Sequence, residues 1–149
     1  MKQDKHDCNT TGAGLLCTLI SRERRFADAK ISLLKENAAD IEAVAQIAEW
    51  IGGQGHPATP YVNVLDAPPA AGFDYELDYS IVTTVSGERA IRELLAALKK
   101  RAIESERDEY GNSTNCEAWK LTAYGKIKIA LFCFAPTAPK QQIAERKAA

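Results

Sequence analysis

An alternation of apolar and polar side chains from position 75 to position 85 constrains the fold of this chain more than any other feature. Aromatic, aliphatic and β-branched residues hold the odd positions: Tyr75, Leu77, Tyr79, Ile81, Thr83 and Val85. Polar residues hold most of the even positions. Because successive side chains of a strand point to opposite faces, the segment predicts a β-strand with one buried face. One-sided burial is typical of strands in antiparallel sheets.

A helix and two further strands are expected after this strand. From 87 to 107 the apolar residues recur at steps of three and four, which is the spacing of an amphipathic helix. Alternation resumes at 117–123 and again at 127–134. A tight turn at Tyr124–Gly125 is expected to join these two strands, although one long strand with a bulge at Gly125 fits the pattern nearly as well.

The N-terminal third predicts helix. Apolar residues between 26 and 34 fit either a strand or a helix, and the helical spacing continues to the glycines at 52 and 53. We therefore expect a helix around Ile31–Ile51 that ends at a glycine cap. Its alanine-rich seam suits packing against the chain's own sheet or against the same helix of another copy. A homo-oligomer formed through Ile31–Ile51 is the expected assembly.

Chain length and element order together predict the fold class. With 149 residues the chain is long enough for one domain with a sizeable core, so a single domain over 1–149 is expected. The predicted class is α+β, with a helical N-terminal third followed by an antiparallel sheet. Its strands lie near 60–65, 75–85, 117–123 and 127–134, and an amphipathic helix near 87–107 crosses it. The polar segments 1–14 and 137–149 are expected to be loosely ordered.

Net charge and hydropathy argue against double-stranded DNA and membranes as partners. The 19 basic and 20 acidic residues give a formal net charge of −1, so double-stranded DNA is not an expected partner. No apolar run approaches the roughly 20 residues of a membrane helix, and the polar start does not resemble a signal peptide. We expect no membrane association and a cytoplasmic location.

The four cysteines do not predict a metal centre. Cys8, Cys17, Cys116 and Cys133 lack the two-residue spacing of zinc sites, and His6 beside Cys8 has no second pair of ligands. No metal or cofactor is predicted. Cys17 and Cys133 are expected to be reduced thiols of the core.

The candidate ligand-binding residues combine positive charge with polar and aromatic side chains. Arginine guanidinium groups suit phosphate and carboxylate groups, and aromatic rings stack on nucleobases. The candidates are Arg22, Arg24, Arg25, Asn112, Thr114, Trp119 and Tyr124. They predict a site for a small anionic, nucleotide-like ligand between the arginines and the polar loop at 112–115.

No motif in the sequence names a reaction. The first expectation is therefore a non-catalytic binding or sequestering module, such as an accessory or inhibitor protein that captures a small anionic ligand or a protein partner. A small hydrolytic or transferase-type enzyme is the second. It would use Glu76 with Asp78, which alternation places on one strand face, or Cys116 as nucleophile with His56 as base. A structural subunit of a larger assembly is the third.

Overall fold

The computed structural model describes residues 12–72, 74–85 and 87–136. Helices come first and most of the strands later, so the predicted α+β class is confirmed. The helices and strands, in chain order, are α1 (Gly12–Glu36), α2 (Ala38–Gly53), β1 (Ala58–Asp66), β2 (Tyr75–Thr84), α3 (Glu88–Lys99), β3 (Ile103–Arg107), β4 (Cys116–Ala123) and β5 (Ile127–Phe134). A short 3-10 turn (Pro69–Ala71) lies between β1 and β2. Within the described ranges no helix is both long enough and apolar enough to span a bilayer.

Two compact units make up the chain. The first contains α1 and the hairpin segment Val64–Leu77, and the second contains Ala39–Asn63 and the chain from Asp78 onward. β1 and β2 therefore contribute residues to both units. The single domain expected over 1–149 stays a prediction.

The sheet is mixed, whereas an antiparallel sheet was expected. Its strand order is β1-β2-β5-β4-β3. β5 pairs antiparallel with β4, as predicted, but it pairs parallel with β2, with Leu131 opposite Ile81. The chain leaves β2 through α3, β3 and β4 before β5 enters between β2 and β4. This crossover gives β5 the direction of β2, and no local sequence pattern records it.

The core of the second unit is built from the predicted periodicities. β5 buries its odd positions and leaves its even positions exposed or half-buried. α2 and α3 each bury residues at helical spacing. These are Val44, Ile47, Ala48 and Ile51 in α2 and Ile91, Leu94, Leu95 and Leu98 in α3. The apolar seam of α2 is thus buried, although two of its alanines, Ala38 and Ala45, are exposed.

The helix predicted over 87–107 ends at Lys99, because the chain reverses direction and forms β3. Ala102 takes a left-handed conformation with φ 62°, and β3 begins at the next residue. Glu104 and Glu106 have good helix propensity, but pairing with β4 overrides it. β3 is an edge strand, and the exposed charges of Glu104 and Glu106 suit an edge that must not pair further.

Two helices replace the single helix expected around Ile31–Ile51. The ambiguous segment 26–34 is helical, and its helix begins at Gly12, within the segment expected to be loosely ordered. The helix breaks at Asn37, whose side-chain amide donates a hydrogen bond to the Leu33 carbonyl oxygen at 2.9 Å. Residues 1–11 and 137–149 lie outside the described residues.

A tight turn joins β4 to β5, which confirms the hairpin and excludes one long bulged strand. Tyr124 and Gly125 have φ of 56° and 73°. The Lys126 N–H donates to the Ala123 carbonyl oxygen at 3.1 Å. Positive φ at both central residues is the geometry of a type I′ turn, which matches the twist of the flanking strands.

Candidate functional site

Helix α1 exposes most of its large apolar side chains. Leu15, Leu16, Leu19, Ile20 and Ile31 are between 43% and 62% exposed. Full burial of such a side chain is worth about 1.5–3 kcal/mol. A contiguous exposed apolar surface therefore marks a place where a protein interacts with a partner.

Part of this surface forms a line along one side of the helix. Leu16, Ile20, Ala27 and Ile31 follow steps of four, seven and four residues, which keep side chains on one side of an α-helix. Glu23 and Arg24 lie between Ile20 and Ala27 and flank this line on opposite edges, because consecutive residues of a helix are about 100° apart. We call these six residues the α1 stripe. A shallow depression at its middle is lined by Leu19, Ile20, Glu23, Arg24 and Ala27.

The two charged residues of the α1 stripe are unpaired. Among the described residues neither Glu23 nor Arg24 makes an ion pair. Both are exposed. The middle of an apolar surface thus carries one acid and one base, each without an opposite charge in contact.

Another side of α1 packs on the hairpin of the first unit. The rings of Phe26 and Tyr75 meet edge to face at 6.4 Å, and the Lys30 ammonium lies 5.1 Å from the centre of the Tyr75 ring. Desolvation, and then the charges of Asp66, Asp74 and Glu23, raise the pKa of Tyr75. Glu23 belongs to the α1 stripe and its charge acts on Tyr75, so the hairpin borders the Glu23 edge of the stripe.

The three arginines predicted to bind an anion all lie on α1. The Arg22 guanidinium is 5.6 Å from the centre of the Phe26 ring, which is a cation–π distance. Arg24 follows two positions later, which places it about 160° around the helix from Arg22. Arg22 and Arg24 therefore do not clamp one anion together. Arg25 is exposed.

In the second unit, Asn112 fastens its own loop. Its side-chain NH₂ donates to the Asp108 carbonyl oxygen at 2.6 Å, and its side-chain oxygen accepts the Ala118 N–H at 3.1 Å. Both ends of the amide are thus occupied by backbone groups. Thr114, the other candidate in this loop, is exposed.

The two aromatic candidates, Trp119 and Tyr124, lie on β4 and in the turn that follows it. Trp119 is half-buried on β4, opposite Leu131, and its Nε1–H is buried without a hydrogen-bond partner among the described residues. Tyr124 lies in the turn after β4, whereas Thr114 lies before β4. A strand of eight residues spans about 26 Å. The structure therefore does not bring Thr114 and Tyr124 to one ligand.

A small cavity lies at the carboxyl ends of β2 and β5, where α3 begins. Parallel strands of open sheets often bind ligands outside their carboxyl ends. The cavity is lined by residues that include Ser113, Thr114, Asn115, Cys116, Glu117, Cys133, Gly87 and Glu88. Its volume is about 130 Å³. Small-molecule sites usually have at least about 300 Å³, so the cavity does not hold a nucleotide.

The thiols that line this cavity are poor nucleophiles, because the thiolate is the reactive form. Burial, and then the charge of Glu117, raise the pKa of Cys116. The same two causes, with a contribution from Cys116, raise the pKa of Cys133 to about 12. The His56 carbonyl oxygen accepts a hydrogen bond from the Thr83 hydroxyl of β2 at 3.4 Å, and β2 lies two strands from β4 in the sheet. Two strands span about 10 Å, and His56 is not among the residues that line the cavity, so the structure does not pair His56 with Cys116.

Raising the pH from about 9 to about 12 is expected to lower the free energy of unfolding, by up to about 1.4 kcal/mol per pH unit for one proton. The unfolded Cys133 thiol loses its proton near pH 8.5, whereas the folded thiol keeps it to about 12. The stability that the protonated Cys133 thiol contributes is complete below the pKa of the unfolded thiol. It is lost as the pH rises through the pKa of the folded thiol. Urea unfolding at several pH values measures it.

The Cys133→Ala variant is the control, because tyrosines also titrate in this range. Its unfolding free energy should depend less steeply on pH than that of the wild type. Parallel curves for the two proteins would show that the buried thiol does not contribute.

Cys17 corrects one expectation and Cys133 confirms another. Cys133 is a buried free thiol, as predicted. Cys17 is half-buried and disulfide-bonded, so it is not a reduced core thiol. His6 and Cys8 lie outside the described residues.

The carboxylates of β2 share a face, as alternation requires. Glu76 is half-buried and Asp78 is exposed. In the part of the chain that the structure describes, no three histidine, cysteine, aspartate or glutamate side chains are grouped to hold a metal ion.

No family model, curated protein or solved structure matches this chain.

The α1 stripe is the surface that the sequence prediction missed. The signal was present in the steps from Leu16 to Ile20 and from Ala27 to Ile31. It was missed because the helix was expected to begin near residue 26, so the apolar run before that point was not placed in helical phase. Because α1 begins at Gly12, the pair Leu16 and Ile20 and the pair Ala27 and Ile31 lie on one continuous helix.

Proposed function

We propose that this protein is a non-catalytic binding module that self-associates through the α1 stripe. The observation that carries the proposal is the exposure of large apolar side chains at helical spacing on one side of α1. Self-association was expected through the segment Ile31–Ile51, and the proposal now assigns it to the α1 stripe. α2 buries its apolar residues, and of the segment Ile31–Ile51 the α1 stripe retains Ile31.

A second copy is the best candidate to cover the α1 stripe. The chain outside the described residues has little to offer, since residues 1–11 and 137–149 contain only Met1 and Ile143 as large aliphatic residues. Two copies of the α1 stripe would bury six large apolar side chains that are about half exposed, namely Leu16, Ile20 and Ile31 of each copy. That gives on the order of 5 kcal/mol before the cost of association, so the expected dimer is weak and reversible.

The chemistry of the second unit supports a non-catalytic role. The cavity thiols are held protonated, and the Cys116–His56 pair does not form. Capture of a nucleotide-like ligand has less support than self-association, because the cavity is small and Asn112 is occupied by backbone groups. The expected cytoplasmic location and the disulfide at Cys17 favour opposite redox environments. The proposed self-association does not depend on which of the two redox environments the protein occupies.

The Leu16→Gln/Ile20→Gln variant is expected to remain a monomer at concentrations where the wild type forms dimers. Glutamine keeps helix propensity and adds no charge, so the variant removes only the apolar surface. Light scattering after size exclusion, from about 1 µM to about 1 mM, measures the mass across the range of a reversible dimer.

The matched control is Ser21→Gln/Ser32→Gln, which places the same side chains away from the α1 stripe. It should dimerise like the wild type, and circular dichroism should show unchanged helix content in both variants. A wild type that stays monomeric at every concentration, or a stripe variant that dimerises normally, would overturn the proposal.

A further inference from the structure

We infer that β1 is a docking edge, to which an extended, arginine-containing segment of a partner protein adds as a further strand of the sheet. β1 lies at one end of the sheet and has a neighbouring strand, β2, on one side only. A strand in this position presents a row of backbone donors and acceptors that pair with another extended chain. The inference concerns a different surface from the α1 stripe and does not depend on self-association.

The hydrogen bonds at the two ends of the β1–β2 ladder show which backbone groups of β1 face outward. The Thr84 N–H donates to the Pro57 carbonyl oxygen at 3.2 Å, and the Ala67 N–H donates to the Asp74 carbonyl oxygen at 3.1 Å. The same number of residues separates these two bonds on each strand, so no bulge interrupts the register. Backbone direction alternates along a strand. Odd-numbered residues therefore turn their N–H and C=O groups toward β2, and the even-numbered residues of Ala58–Asp66 turn theirs outward.

The outward edge of β1 is less protected than the opposite edge of the sheet. β3, which forms the opposite edge, has five residues and carries exposed charges. β1 has nine residues, and Asp66 is the first charged residue in it. Pro60 removes one outward donor, whereas Val62 and Val64 keep both their N–H and their C=O groups. A sheet that guards its short edge with charge and leaves its long edge open favours pairing with a partner at the long edge.

The two faces of β1 differ, and the difference predicts the side chains of the added strand. On one face Tyr61 and Leu65 are 49% and 44% exposed, and Asn63 between them is also exposed. The other face carries Val62 and Val64, which are half-buried. An added strand sets alternate side chains on these two faces. Its residues beside the valines are expected to be apolar, and those on the exposed face are expected to be polar or charged.

Two carboxylates on the exposed face select a positively charged partner. The β1–β2 register places Asp78 beside Asn63 and Glu76 beside Leu65, one strand in from the free edge. Among the described residues neither carboxylate makes an ion pair. The ammonium of Lys128, on the neighbouring β5, donates to a threonine hydroxyl of β4 at 3.1 Å rather than to Asp78. The carboxylates are therefore available to a cation that approaches from the β1 side.

An arginine on the added strand fits both the carboxylates and the aromatic ring beside them. The added strand would lie two strands from β2, which is about 10 Å, and an extended arginine and a facing carboxylate side chain together span that distance. Its guanidinium would pass over the ring of Tyr61, which is a cation–π contact. Lysine supplies the charge but not the planar stacking. The edge thus fits a segment in which arginine alternates with β-branched apolar residues.

Fluorescence anisotropy with a short labelled peptide of alternating valine and arginine tests the inference. We expect micromolar binding, and at least about tenfold weaker binding of the same peptide with glutamate in place of arginine. Glu76→Gln/Asp78→Asn should weaken binding of the arginine peptide about fivefold, because two partly exposed ion pairs are lost. The control Glu104→Gln/Glu106→Gln makes matching changes on β3, at the other edge, and should bind like the wild type.

Methylation of the peptide's backbone nitrogens tests strand pairing without altering the protein. Methyl groups on one alternate set of amides should weaken binding at least about tenfold, and methyl groups on the other set should have little effect, because only every second residue faces β1. Equal effects of the two sets, equal binding of the arginine and glutamate peptides, or no binding of either would overturn the inference. Leu16→Gln/Ile20→Gln should bind the arginine peptide like the wild type, so this inference and the proposed self-association fail separately.

Discussion

Leu131→Ala is expected to lower the free energy of unfolding by about 3–4 kcal/mol. Leu131 is 0% exposed and lies at the centre of the sheet, opposite Ile81 of β2 and Trp119 of β4. Truncation removes the transfer free energy of the lost atoms and leaves a cavity between strands that are held on both sides, so the site relaxes little. Urea denaturation followed by circular dichroism measures the loss.

Phe134→Ala in the same strand is the control. Phe134 is 41% exposed, so its truncation should cost about 1 kcal/mol or less. Equal losses for the two variants would show that Leu131 does not lie in a constrained core.

Gly111→Ala is expected to cost about 2–3 kcal/mol, because the loop before β4 leaves no room for a side chain. A Cβ at Gly111 would lie 2.5 Å from the Cβ of Ala118, which is well inside van der Waals contact. Ala118 is buried, so it does not move aside freely. The loop would shift and strain the hydrogen bonds of Asn112 to Asp108 and Ala118. The unfolding free energy in urea measures the cost.

A double-mutant cycle isolates the steric cause. Ala118→Gly removes the opposing methyl group, so Gly111→Ala/Ala118→Gly should be more stable than the sum of the single effects implies. Gly52→Ala is the control, because a Cβ there meets nothing within 4 Å and alanine favours the helix. Additive effects in the cycle would contradict the contact between residues 111 and 118.

Elements with strong local periodicity were predictable from the sequence. β2, β4 and β5 lie within one residue of their predicted limits, since alternation is a local pattern that survives packing. β3 was not predictable, because its residues favour helix and only pairing with the distant β4 makes them a strand. The parallel pairing of β2 with β5 was missed for the same reason. Both depend on contacts between residues far apart in the chain.

The candidate site was harder to predict than the fold. Sequence identified Asn112 as a polar loop residue, but only the structure shows that its amide holds Asp108 and Ala118. Arg22 and Arg24 looked like one basic cluster, and helix geometry separates them. Conversely, the α1 stripe consists of ordinary residues, and only their exposure marks them as a surface.

The position of β5 has a consequence for how the protein is made. Of the strands that the structure describes, β5 is synthesised last, yet it occupies the middle of the sheet between β2 and β4. Until it emerges from the ribosome, both neighbours have an unsatisfied edge, and such edges invite pairing with other chains. The sheet therefore closes late and through contacts between distant parts of the sequence, which makes closure slow. We therefore expect nascent chains that lack β5 to aggregate more readily than the complete sheet.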